Sequence, residues 1–190
     1  MNTQVIVVAV VVAVVGAVLA WWYVQSQRRA HLRTRFGPEY ERAVHETGNV
    51  EKAEAMLVDR ERRVEKLHIR SLTPEESDRF SIAWRTVQSR FVDDPKGAVM
   101  DADKLITDVM ATRGYPMTNW AQRVADISVD HPRVCERYRV GHEIALRQEQ
   151  GTASTEDLRQ AMVAYRELFA ELVEPVHRPA VREQQQRRAG

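Results

Sequence analysis

The feature that most constrains this chain is an uncharged apolar run near its start. Residues 5–24 read VIVVAVVVAVVGAVLAWWYV and contain no Asp, Glu, Lys or Arg. A helix of about 20 such residues crosses a hydrocarbon core of about 30 Å. Trp21, Trp22 and Tyr23 close the run, and such rings favour the membrane–water interface. The run therefore predicts one transmembrane helix, with residues 1–35 forming the anchor.

Charged residues around this run predict its orientation. Arginines follow the run at once, at Arg28, Arg29, Arg33 and Arg35, whereas residues 1–4 carry no Lys or Arg. By the positive-inside rule, this asymmetry predicts a single-pass protein of the cell membrane with its C-terminal part in the cytoplasm. Aromatic and basic residues beside the end of the run form the predicted membrane interface: Trp21, Trp22, Tyr23, Arg28 and Arg29.

Two further hypotheses concern the same segment. A signal peptide cleaved near residues 18–20 would make the chain an exported envelope protein. Signal peptides favour a charged start and a shorter apolar run, so we prefer an uncleaved span. Small residues at four-residue spacing also allow two copies of the helix to approach closely. A homodimer would then use Ala9, Ala13, Gly16, Ala17 and Ala20.

Composition excludes several classes of function. The 190 residues carry a formal net charge of +1, so no domain-wide basic field is available for a nucleic acid backbone. The single cysteine excludes an intramolecular disulfide framework and is typical of a reducing compartment. The sequence contains no P-loop, glycine-rich dinucleotide turn, nucleophile elbow or zinc-binding helix motif. We therefore expect no nucleic acid partner and no cofactor.

Helix start and stop signals recur after residue 35, and no stretch of sequence shows the sustained alternation of a strand. Prolines and capping residues predict helix starts at Pro38, Asn49, Thr73, Asp94, Thr118, Pro132 and Ser154. Glycines predict helix ends at Gly48, Gly114 and Gly151. Each predicted helix has one apolar face, clearest in the last one: Leu158, Ala161, Met162, Tyr165, Leu168, Phe169 and Leu172.

These signals predict an all-α fold. One N-terminal transmembrane helix precedes a compact soluble domain of six or seven helices over residues 36–173. The helices must pack on one another, because none can bury its apolar face alone. Residues 174–190 are polar and are predicted to form a disordered tail.

Two similar segments, FVDDP at residues 91–95 and SVDHP at residues 128–132, carry the most conspicuous polar residues. An aspartate before a proline is typical of a helix start, because it accepts an orphan amide and faces the positive end of the dipole. The pattern predicts that Asp94 caps one helix and that Asp130, or less well His131, caps the next. The alternative is a divalent ion site, for which the candidates are Asp93, Asp94, Asp126, Asp130 and His131. Neither segment has a recognised metal-loop spacing, so the ion site is the weaker hypothesis.

Cys135 is the second candidate for chemistry. It lies four residues after His131 and seven before His142, so all three project to nearly the same side of a helix. A histidine and a helix N-terminus both lower a thiol pKa. The neighbouring apolar residues Val134 and Tyr138 favour a small core residue instead of a reactive thiol.

Several segments together resemble a known family. The stretches RFGPEYERAVHETGNVEKAEAML, IRSL, FVDDP, MATRGYP, DISVDHP and STEDLRQAMVAYRELF are similar to an actinobacterial family of single-span membrane proteins, in order, over most of residues 33–173. The resemblance implies an N-terminal membrane segment and a helical soluble part. It implies no activity and no catalytic residue.

An anchor, a helical domain and the lack of a catalytic motif predict a non-enzymatic, membrane-anchored interaction or scaffold module. Its partners are the lipid bilayer and a protein of unknown identity that docks on a helix face or groove. A metal-dependent enzyme or sensor that uses the acidic helix starts is the alternative. The exported envelope protein stays a third interpretation.

Overall fold

A computed structural model describes the backbone of residues 3–173 and the side chains of residues 12–173. Within these residues the chain forms eight α-helices and one 3₁₀ turn, with no strand. The all-α prediction is therefore confirmed. The predicted tail at residues 174–190 lies outside the described residues.

The helices follow one another with short connections. Their bounds are α1 Thr3–Phe36, α2 Pro38–Thr47, α3 Val50–Glu65, α4 Pro74–Asp93, α5 Pro95–Arg113, α6 Trp120–Asp130, α7 Cys135–Glu149 and α8 Thr155–Val173. The 3₁₀ turn Pro132–Val134 stands between α6 and α7. The chain divides into two compact units, Met1–Arg62 and Arg63–Gly190. The boundaries predicted from the sequence, at residues 35 and 173, stay predictions.

The last turns of α1 belong to the core of the first unit. Leu32 and Phe36 of α1 are buried together with apolar residues of α2 and α3, which are Tyr40, Ala43, Ala53 and Leu57. Gly37 has a φ of 47°, which glycine adopts readily, and it is the single residue between α1 and α2. The hydroxyl of Tyr40 donates to Glu54 Oε1 at 2.9 Å and links α2 to α3.

The N-terminal part of α1 lacks such packing. From residue 12 to residue 24 its large apolar side chains are exposed on every side of the helix: Val12, Val14, Val15, Val18, Leu19, Trp21, Trp22, Tyr23 and Val24. Among the described residues, no helix is both long and apolar enough to qualify as a membrane span. The Cβ position of Gly16 meets no atom within 4 Å.

The second unit is built around α5 and α8. The predicted stripe of α8 is buried along its length, and so is that of α5, which consists of Ala98, Ala102, Leu105, Ile106, Val109 and Met110. Helix α4 packs against both, and Trp84 stacks on Phe169 with ring centroids 4.9 Å apart. Helix α7 packs against α8, where Gly141 lies against the ring of Tyr165.

Most predicted helix starts are confirmed. Thr73 forms a full capping box with Glu76 at the start of α4. Asn49 accepts the amide of Lys52 at 2.9 Å, and Ser154 caps α8 by accepting the amide of Asp157 at 3.1 Å.

Two predicted starts are wrong. Asn119, not Thr118, caps α6, because its side chain accepts the amide of Gln122 at 2.9 Å. Pro132 opens only the 3₁₀ turn, and α7 begins at Cys135. His131 makes no side-chain cap bond to this turn, because its two ring nitrogens contact Arg113 and Glu171 instead.

Candidate functional site

Asp94 lies where α4 ends and α5 begins, and it caps α5 as predicted. Its Oδ1 accepts the amide of Gly97 at 2.9 Å, and its Oδ2 accepts Arg90 Nη2 at 2.6 Å. The Gly97 amide, and then the Arg90 guanidinium, lower the pKa of Asp94. Arg90 also pairs with Asp101 of α5. The neighbouring Asp93 is exposed at the end of α4.

The capping role predicted for Asp130 and His131 is wrong. Helix α6 runs through Asp130, and His131 follows as its C-terminal cap residue, with no side-chain cap bond to the 3₁₀ turn. Asp130 Oδ2 instead accepts the hydroxyl of Tyr115 at 3.3 Å. The same residue pair, aspartate near proline, therefore begins a helix at Asp94 and ends one at Asp130.

His131 belongs to a buried polar network around Arg113. Arg113 is fully buried, and it donates Nε to the Arg70 carbonyl at 3.2 Å and Nη1 to the Leu172 carbonyl at 3.0 Å. Its Nη1 also lies 3.2 Å from His131 Nε2. On the other side of the ring, His131 Nδ1 lies 3.3 Å from Glu171 Oε1. The network thus joins the end of α5, the α6–α7 junction and the end of α8.

These contacts assign the protonation of the His131 ring. A guanidinium offers only donors, so Nε2 must accept from Arg113 and Nδ1 must carry the proton that Glu171 accepts. Burial, and then the positive charge of Arg113, lower the pKa of His131. The neutral ring is therefore the form that fits this site.

No cation site emerges from the residues proposed for one. In the part of the chain that the structure describes, no group of three or more His, Cys, Asp or Glu side chains is arranged to hold a metal ion. Both ring nitrogens of His131 are engaged, and Asp126 is buried in an ion pair with Arg63 at 2.8 Å. Asp94 and Asp130 also accept hydrogen bonds from protein donors, the Gly97 amide and the Tyr115 hydroxyl.

A second polar cluster surrounds Asp103 on α5. Asp103 Oδ1 accepts the hydroxyl of Tyr165 at 2.6 Å and lies 3.3 Å from His142 Nδ1. Burial opposes the charged carboxylate, but the hydrogen bonds from His142 and Tyr165 outweigh it and lower the pKa of Asp103. Trp120 stacks on the His142 ring at 3.6 Å. The cluster holds α5, α6, α7 and α8 together and places no Ser or Cys beside the histidine.

Cys135 is a core residue in this fold. It is fully buried at the start of α7, where its thiol lies 3.5 Å from the His131 carbonyl. The two histidine rings predicted on the same side are held elsewhere, His131 by Arg113 and Glu171, and His142 by Asp103. A thiol in this position is shielded from reagents in solution.

A shallow groove lies between α4 and α8 on the surface of the second unit. It has a volume of about 190 Å³ and is lined by Gln88, Phe91, Arg159, Met162, Val163 and Arg166. Phe91, Met162 and Val163 supply apolar surface, and the lining contains two arginines and no carboxylate. Arg159 pairs with Glu156 at 2.7 Å, whereas Arg166 makes no ion pair with any residue that the structure describes. We call these six residues the α4–α8 groove.

Sequence reasoning missed both the Arg113 network and the α4–α8 groove. Arg113 and His131 are 18 residues apart, and no local pattern links RGYP to SVDHP before the helices pack. The groove arises from the edges of two predicted apolar faces, Phe91 in α4 and Met162 in α8. Only the two arginines of α8, Arg159 and Arg166, which lie about one turn from Met162 and Val163, could have indicated it.

Comparison with known proteins leaves function to be inferred from this chemistry. The resemblance to an actinobacterial single-span family stays a prediction. No protein-family model, curated protein or solved structure gives a significant match to the chain.

Proposed function

We propose that this chain is a non-enzymatic interaction protein anchored in the cell membrane by α1, with its C-terminal part in the cytoplasm. The observation that carries the proposal is the apolar surface of α1, exposed all round from Val12 to Val24. A helix that is apolar on every side needs either a protein core or a membrane around it. The described residues around α1 supply no such core, because the side chains of residues 12–24 are exposed in the fold.

The sequence favours lipid as the surroundings of the exposed apolar surface of α1. The uncharged run spans residues 5–24, of which residues 5–11 precede the first described side chain. The ring-bearing residues Trp21, Trp22 and Tyr23 then mark the interface, followed by Arg28 and Arg29 on the cytoplasmic side. A homodimer through Ala9, Ala13, Gly16, Ala17 and Ala20 is compatible with the same arrangement and adds no requirement to it.

Thiol labelling in intact cells tests the orientation. Cys135 is replaced with Ala and Gly190 with Cys, and cells are treated with a membrane-impermeant thiol reagent. We expect labelling only after lysis, because the proposal places the C-terminus inside the cell. Labelling of intact cells would make the chain an envelope protein that faces outward, and the cytoplasmic proposal would be abandoned.

The α4–α8 groove is the surface we propose for the protein partner. Its apolar lining suits one face of an amphipathic helix, and helix-in-groove docking is a common recognition mode. The positive charge available in it is that of Arg166, since Arg159 is paired with Glu156 and the lining contains no carboxylate. Complementary charge therefore favours an acidic amphipathic helix over a basic one.

Site-specific photo-crosslinking in cells tests this surface. A photoreactive amino acid is placed at Val163 in the groove, with Ile82 of α4 as the matched control, since Ile82 is exposed but does not line the groove. We expect a discrete product from position 163 alone. Arg166→Glu should abolish it, whereas Arg166→Lys should retain it. A product that ignores the charge reversal, or equal products from both positions, would exclude an acidic helix in this groove.

The metal-dependent enzyme or sensor is not favoured by any observation in the described part of the chain. Asp94 and His131, two of its candidates, use their polar atoms for an amide, two arginines and Glu171. The interaction protein therefore stands as the single proposed function.

A further inference from the structure

We infer that the turn between α2 and α3, residues 47–50, rests on the lipid headgroups of the cytoplasmic membrane surface, and that Val50 is its contact residue. This inference rests on the proposed anchor and deepens it, because it assigns a lipid-binding surface to the first unit. It is carried by three observations: the continuity of α1, the pairing of α3 with α1, and the chemistry of the turn itself.

The anchor and the first unit share one uninterrupted helix. Helix α1 runs from Thr3 to Phe36, and its last turns are buried in the first unit through Leu32 and Phe36. No flexible linker therefore separates the proposed span from the folded unit. If residue 24 marks the end of the apolar run, Leu32 lies only about 12 Å above it along the helix axis.

Ion pairs between α1 and α3 indicate which residues of the two helices lie at the same level along the α1 axis. Arg29 pairs with Glu54 at 3.1 Å, and Arg35 pairs with Glu61 at 3.3 Å. Later residues of α1 thus meet later residues of α3, so the two helices run in the same direction. Helix α2 must then return from the top of α1 toward the membrane, and the turn that follows it is the part of the unit nearest to the bilayer.

The level of the turn follows from the helical rise. Val50 precedes Glu54 by about one helical turn, or about 6 Å. Since Glu54 pairs with Arg29, Val50 lies near the level of Gln25. The aromatic belt ends at Tyr23, within about 5 Å of that level along the axis. The turn therefore lies at the level of the membrane interface that the aromatic residues mark.

The chemistry of the turn suits this position. Residues 47–50 read TGNV and carry no charge. The Thr47 hydroxyl donates to the Ala43 carbonyl at 2.8 Å, and the Asn49 side chain accepts the Lys52 amide at 2.9 Å. Polar groups that are already paired within the protein lose less when bulk water is displaced. Val50 at the end of the turn is an apolar side chain that is 39% exposed.

Flanking charges limit the depth of the contact. Glu46 lies just before the turn in an ion pair with Arg42, and Glu51 and Lys52 follow it. Charged side chains avoid the hydrocarbon region but are well solvated among headgroups. The turn therefore sits in the headgroup layer, and the contact does not require anionic lipid.

An environment-sensitive fluorophore on the full chain tests the contact. In a Cys135→Ala background, Val50→Cys is labelled and the protein is reconstituted into phosphatidylcholine vesicles. Asp59→Cys is the matched control, because it is an exposed residue of the same helix about 14 Å farther from the membrane. Lys52→Cys provides a second probe just after the turn, should the Val50 variant fail to fold. Quenching by a headgroup spin-labelled lipid is measured for each.

We expect the probe at Val50 to emit at shorter wavelength and to be quenched several-fold more strongly than the probe at Asp59. Lys52 should resemble Val50. Equal quenching at all three positions, with the protein still floating with the vesicles, would overturn the lipid contact and leave the anchor intact. Failure of the protein to float with vesicles would overturn the anchor, and this inference with it.

Discussion

At the scale of single residues, Arg113 is a charged side chain whose burial depends on its hydrogen bonds. Its guanidinium is fully buried and donates to the carbonyls of Arg70 and Leu172. Arg113→Met removes the donors and leaves these acceptors and His131 without them, so we expect a loss of about 3 kcal/mol in the free energy of unfolding. Denaturant titration of the full chain in detergent measures this loss. Arg166→Met, at an exposed arginine, should change little, and equal effects would contradict the role of Arg113.

His131 makes the stability of the second unit depend on pH. Its pKa is lowered in the fold by burial and by Arg113, whereas the unfolded chain has a histidine pKa of about 6.5. As pH falls below that value, the unfolded chain binds the proton before the folded one does. The free energy of unfolding must therefore fall with pH in this window, and Glu171 and Asp130 moderate the fall.

Unfolding curves at pH 7.5 and pH 5.5 measure this dependence. We expect the wild type to lose more stability than His131→Gln between the two pH values, because glutamine has no proton to gain. Equal losses in both chains would show that protonation of His131 does not cause the pH dependence of the free energy of unfolding. Carboxylates with lowered pKa values, such as Asp103, lose their contribution only at lower pH.

Single residues also show how far the sequence could be interpreted. Asp94 was predictable, because a helix cap needs only the residues that follow it. Asp130 followed the same rule and failed it, since Tyr115 and the preceding helix compete for that position. A local pattern cannot indicate which of two helices will claim a residue between them. The role of His131 depends on Arg113 and Glu171, which only tertiary packing brings close.

At the scale of elements, Gly114 ends α5 in a conformation that other residues rarely adopt. Its φ is 93°, and an added Cβ would lie 2.7 Å from the His68 carbonyl oxygen. Gly114→Ala should therefore cost about 3 kcal/mol through strain and backbone crowding. Gly151 also has a positive φ, of 73°, but no atom lies within 4 Å of its Cβ position.

The matched variant Gly151→Ala separates the two causes. It should lose only about 1 kcal/mol, because strain is its sole cost. Denaturant titration of both variants gives the comparison. Similar losses would mean that the backbone at His68 moves away from the added Cβ at little cost in free energy. The end of α5 would then be less rigidly packed than the structure indicates.

Helices were the most predictable elements. The stripes of α5 and α8 repeat at helical spacing, and burial follows those stripes residue by residue. Element ends were less predictable where two capping residues stand side by side. Thr118 and Asn119 both suit a cap, and Asn119 is the residue that accepts the Gln122 amide.

At the scale of the whole molecule, the sequence could not indicate that the helix proposed as the anchor ends inside a folded unit. The arginines after the apolar run predicted orientation, yet Arg29 and Arg35 also bind carboxylates of α3. These pairs join residues 25 and 26 positions apart, which periodicity does not connect. The grouping of helices into two units likewise follows from long-range packing.

The anchor is the claim on which the proposed function depends, and alkaline carbonate extraction tests it most directly. We expect the full chain to stay in the membrane pellet of producing cells. Val14→Asp together with Val15→Asp should release it, since each charge near the middle of a span costs about 3 kcal/mol. Release of the unmodified chain into the supernatant would contradict a membrane-spanning α1.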